Sequence, residues 1–79
     1  MSKEEELEQY VEILKNKLNL PDMHLSVNSG GRVVKYAIML NLGDYLLSRG
    51  HVEIDVLLDR VYGFNEAVNF MEVRNWRNN

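Results

Sequence analysis

A chain of 79 residues, 46% of them apolar, can enclose one hydrophobic core but not two, so residues 1–79 are expected to form a single small domain. The formal charge of −3 argues against a generic polyanion binder, which needs a concentrated basic field. The absence of cysteine removes thiol catalysis, disulfides and thiolate metal sites, and fits a reducing cytoplasm as the expected location. A single core of this size supplies only about 3–5 kcal/mol, which makes a partner chain a natural source of further support.

Ser2 followed by Glu5 is a capping-box pair, and Glu4, Glu5, Glu6 and Glu8 lie where the helix dipole favours negative charge. A first helix is therefore expected to start near Lys3. This polar, acidic opening has no apolar run behind it and reads as neither a signal peptide nor a membrane anchor. Leu7, Tyr10, Val11, Leu14 and Leu18 form one apolar stripe at helical spacing, with Lys15 and Lys17 near the end, and Pro21 stops the helix.

Beyond Pro21 the period changes. Met23, Leu25 and Val27 alternate with His24, Ser26 and Asn28, as in a short strand, and Ser29-Gly30-Gly31 supplies a hairpin turn. Val33–Leu42 reads as a second strand, with Val34, Tyr36, Ile38, Leu40 and Leu42 on one face. Its other face carries Val33, Ala37 and Met39 beside Lys35 and Asn41, an unusually apolar set for a solvated surface. Gly43-Asp44 is a turn, Tyr45–Ser48 a short third strand, and Arg49-Gly50 a further turn.

Between Val52 and Leu58, the residues Val52, Ile54, Val56 and Leu58 alternate with His51, Glu53, Asp55 and Asp59, the period-two signature of a half-buried strand. Gly63 then breaks the chain, Asn65 caps a second helix, and Phe64, Ala67, Val68, Phe70 and Met71 form its apolar arc. The competing pattern is an all-α four-helix domain. In it, residues 33–49 form one helix and residues 52–62 another with Ile54, Leu57, Leu58 and Val61 inward; the β-branched Val52, Ile54 and Val56 favour the strand.

Three constellations could carry chemistry. His51, Glu53 and Asp55 alternate on one strand face, and His24 could complete a metal set, but alternating polar residues are also what any solvated strand face presents, so no metal is assigned. Asp44, Asp55, Asp59, Glu53, His24 and His51 could supply an acid–base pair only in a desolvating pocket, for which so small a domain has little interior. No phosphate loop or nucleophile motif is present, so no catalytic residue and no cofactor are assigned either. Arg74, Trp76 and Arg77 combine cations with an aromatic ring that could stack on a base. Residues 60–79 hold three arginines against two glutamates, whereas residues 1–20 hold three lysines against five glutamates.

These patterns predict an α+β domain in which an N-terminal helix, an antiparallel meander of three or four strands and a C-terminal helix follow in order, both helices on one sheet face. Apolar residues left outside the core stripes, including Ile13, Leu57, Val73 and Trp76, suggest a homodimer. The expected function is non-catalytic binding of another macromolecule, as a regulator, adaptor or inhibitor, in the style of a bacterial or phage accessory protein. The candidate partner surface is Lys35, Met39, Leu57, Val73, Trp76 and Arg77. The alternative is nucleic-acid binding by the basic, Trp-containing helix end.

Overall fold

The computed structural model of the protein describes residues 2–78, apart from the side chains of Leu42 and of residues 73–78. Helix α1 spans Lys3–Leu18. Ser2 caps it, its Oγ accepting from the Glu5 N–H at 3.2 Å, and Leu7, Val11 and Leu14 form its buried stripe. The helix ends where Asn19 turns left-handed at φ 54°, a conformation asparagine tolerates, and the Leu20 N–H closes back on the Lys15 carbonyl at 3.0 Å. Pro21 follows this stop rather than causing it.

Strands β1 (His24–Asn28), β2 (Lys35–Met39) and β3 (Tyr45–Leu46) form an antiparallel sheet in the order β1-β2-β3. The register sets Leu25 opposite Ile38, Ser26 opposite Ala37 and Val27 opposite Tyr36, with Leu46 opposite Ile38 on the far side. Tyr36 and Ile38 therefore share the inner face with Leu25 and Leu46. The second strand is shorter than its apolar run: Val33 and Val34 lie in the hairpin loop and are about half-exposed. A 3₁₀ turn at Asn41–Gly43, with Gly43 at φ 85°, reverses the chain into β3.

The largest departure from the sequence expectation follows β3. Val52 does pair with Tyr36, each donating its N–H to the other's carbonyl at 2.6 and 2.8 Å, but that pair is an isolated bridge. From Ile54 to Asn78 the chain is one helix, α2, running through Gly63 and Asn65 without a break or a cap. The reason lies in Leu57 and Leu58. A strand would send them to opposite faces, whereas a helix buries both, together with Val61, at 0%, 5% and 0% exposure. That gain outweighs the local β preference of Val52, Ile54 and Val56. The all-helical pattern thus holds for this segment and fails for residues 35–39, which are strand.

Helices α1 and α2 lie side by side and run in the same direction. Lys3 meets Asp55 at 2.6 Å, Tyr10 meets Tyr62 edge-on, and Lys17 meets Asn69, all at a constant offset of 52 residues. Both pack on the inner sheet face, α1 against β1 and α2 against β2. The core is Leu7, Val11, Leu14, Met23, Tyr36, Ile38, Leu57, Leu58 and Val61. No helix among the described residues is long and apolar enough to cross a membrane.

Candidate binding surfaces

Alternation along β2 sends Lys35, Ala37 and Met39 to the outer face, away from the helices. Across the register this face also holds His24, Ser26 and Asn28 from β1 and Tyr45 from β3. Its centre is closed by the chain itself. The five residues from Leu47 to His51 stand where the ladder leaves room for one, opposite Ala37, so they loop out and return with His51 beside Val52. The His51 Nε2 and the Ser26 Oγ are hydrogen-bonded at 2.9 Å, and the Tyr45 ring packs edge-on to the imidazole. Ala37, between them, is fully buried. One of the apolar residues on this face is thereby accounted for, since Ala37 lies beneath this clip; Met39, beside it, is half-buried.

A serine hydroxyl within reach of an imidazole is also the start of a nucleophile–base pair, which needs a third group to orient the base. Among the described residues no carboxylate is hydrogen-bonded to either histidine. His24 Nδ1 lies 3.0 Å from the Asp22 carbonyl oxygen. The alternating row of His51, Glu53 and Asp55 is dispersed, because His51 ends a loop, Glu53 offers its carbonyl to the first turn of α2, and Asp55 pairs with Lys3. No group of three metal-ligating side chains occurs among the described residues.

The loop ahead of Val52 carries strain. Leu47 sits at φ 70°, unusual for a branched side chain, and its carbonyl is held by the Arg60 guanidinium at 2.8 Å. Arg60 thus ties the loop to α2.

Of the candidate surface residues, the three whose side chains are described do not form one site. Lys35 is exposed and Met39 half-buried on the outer sheet face, while α2 packs on the opposite face. Leu57 is wholly buried, so it is a core residue and not part of any surface; its assignment as exposed followed from reading residues 52–58 as a strand. The side chains of Val73, Trp76 and Arg77, like that of Arg74, lie outside the described residues.

The helix pair holds features that sequence spacing missed. Tyr36 and Tyr62 donate their hydroxyls to Glu4, at 3.0 Å, and to Glu6. The hydrogen bond to Glu6 pushes the Tyr62 pKa up to about 12, and that to Glu4 raises the pKa of Tyr36. The Oδ1 of Asn65 is buried in the α1–α2 seam near Tyr10 and Ile13 with no hydrogen-bond partner among the described residues. Further along α2, Phe70 and Met71 are 68% and 61% exposed, above every other large apolar side chain described. At about 3.6 residues per turn Phe70 falls on the side of α2 opposite Val61, away from α1 and the sheet, whereas Met71 lies near Lys17 and Leu18, where α1 ends. Comparison of the chain with protein-family models, with curated proteins and with solved structures finds no match to any of them.

Proposed function

We propose that this protein acts without catalysis, as a homodimer that binds another protein through the exposed side of α2 near the end of α1. The observation that carries this reading is the adjacent, exposed pair Phe70 and Met71 on a helix of 25 residues. Exposed Ala67 stands three and four residues before them, giving the i, i+3, i+4 anchor spacing with which a helix enters an apolar groove on a partner. Scattered apolar side chains are ordinary on protein surfaces, but two large neighbours on one helix form a patch.

The test uses the immobilised full chain to capture proteins from a cell lysate, in parallel with a Phe70→Glu, Met71→Glu variant and a Lys35→Glu control on the outer sheet face. A protein retained by the wild type and by the control, and lost with the double variant, supports the reading. Identical capture by all three would sink it. Retention that disappears on nuclease treatment would instead favour nucleic-acid binding.

A further inference from the structure

The two edges of the sheet differ in a way that points to what covers one of them. At the β3 edge only two residues pair, and the looped-out residues 47–51 then interrupt the ladder before the Val52 bridge. Short edge strands and bulges are devices that discourage pairing with another chain. The opposite edge, β1, has neither. Its five residues, His-Leu-Ser-Val-Asn, pair with β2 in unbroken register and contain no proline, lysine, arginine, aspartate or glutamate.

The hydrogen-bonding direction of β1 follows from β2. Tyr36 directs both its N–H and its C=O to Val52, and the Leu40 N–H donates to Asp44 on the same side. In an antiparallel strand this direction alternates, so Lys35, Ala37 and Met39 address β1. Their partners Asn28, Ser26 and His24 answer them. The N–H and C=O groups of Leu25 and Val27 therefore point out of the sheet, and among the described residues no backbone hydrogen bond outside the ladder reaches them. Val27 is also 48% exposed on the inner face.

We propose that β1 pairs antiparallel with β1 of a second copy of this chain, about a twofold axis at Ser26, joining two three-stranded sheets into one. The proposal rests on the homodimer part of the functional reading and supplies its interface. In this register Leu25 stands opposite Val27 of the second copy, and the pair exchanges the outward-pointing N–H and C=O groups. His24 stands opposite Asn28, and Ser26 opposite its own copy. No charged side chains of like sign are opposed, and the apolar Leu25–Val27 pairs cover the half-exposed valines. A second copy suits this edge better than a foreign strand because the segment is complementary to itself. Among the described residues each copy also has a single open edge, so pairing closes at two chains and does not propagate into a fibre.

The experiment is solution mass by light scattering over a concentration series, for the wild type, Val27→Lys and Val27→Pro. Amide hydrogen exchange of the wild type is measured at high and low concentration. The expected result is twice the chain mass of 9.2 kDa for the wild type and the single chain mass for both variants, with unchanged circular dichroism. The Leu25 and Val27 amides should be protected only at high concentration, and the Ser26 amide at both. A wild-type dimer that survives both substitutions, with Leu25 and Val27 exchanging freely, overturns this interface while leaving a homodimer in place. A wild type that stays monomeric throughout overturns both. If either variant unfolds, the wild-type exchange pattern alone decides.

Discussion

Leu57, Leu58 and Val61, in the first half of α2, are removed from water by α1 and the sheet, whereas Phe70 and Met71 further along the same helix remain mostly exposed. The residue types are similar in the two segments, and both carry apolar side chains at helical spacing. What separates them is the side of α2 they occupy: Phe70 lies across the helix from Val61, turned away from α1 and the sheet, and Met71 lies at the margin of the packed face, where α1 ends. α1 stops at Leu18, and the fixed offset between the helices places that stop beside residue 70. Helical position therefore decides which apolar side chains of α2 can reach the core, and the end of α1 decides where that packed face stops being covered.

The sharpest way to break this comparison is truncation at its two ends. Leu57→Ala should lower unfolding stability by about 3 kcal/mol, since it removes a fully buried leucine and leaves a cavity. That is comparable to the ~3–5 kcal/mol a core of this size supplies, so denaturant titration should find much of the variant unfolded. Phe70→Ala, by the same titration, should change stability by less than about 0.5 kcal/mol. Equal costs at the two positions would mean that the far half of α2 is covered after all.

A smaller effect should appear at the boundary between the segments. Gly63 is an interior helical residue, and a Cβ added there meets nothing within 4 Å. Gly63→Ala should therefore raise stability by about 0.5–1 kcal/mol. A loss instead would show that something approaches the backbone closely at this point.

The finest distinction concerns pH. The Tyr62 hydroxyl is neutral while it donates to Glu6, and its pKa in the folded chain is pushed up to about 12 from an ordinary value near 10. The stabilisation is thus complete below about pH 10 and is lost as pH rises through about 12. Tyr36, raised by Glu4, acts in the same direction. Tyr62→Phe should make the stability profile shallower between those values. An unchanged profile would show that the Glu6 contact does not hold in solution.

Where sequence and structure agree, the signal is carried by residues close together along the chain. Ser2 and Glu5 marked the start of α1, the 7-11-14 stripe its buried face, and Gly30-Gly31 and Gly43 the two reversals of the sheet. The α+β class and the order of helix, meander and helix followed from these. Val52–Leu58 departs from the strand expectation because seven residues are too few to separate its period-two pattern from its helical one. The choice between them depends on whether Leu57 and Leu58 must be buried together. The candidate surface failed at Leu57 for the same reason, and the clip of His51 on Ser26 over Ala37 joins residues 25 positions apart that no local spacing connects.

The sequence by itself determined the helix start, the turns, the alternation of β1 and β2 and the absence of thiol chemistry, because each follows from a side chain's effect on its own backbone or from composition. Only the tertiary structure decided three further things: that the chain from Ile54 onward is helix, that the outer sheet face is partly closed by its own loop, and that β1 is left as the open edge. Those outcomes depend on which surfaces meet, and burial is a property of pairs of elements that no single segment carries.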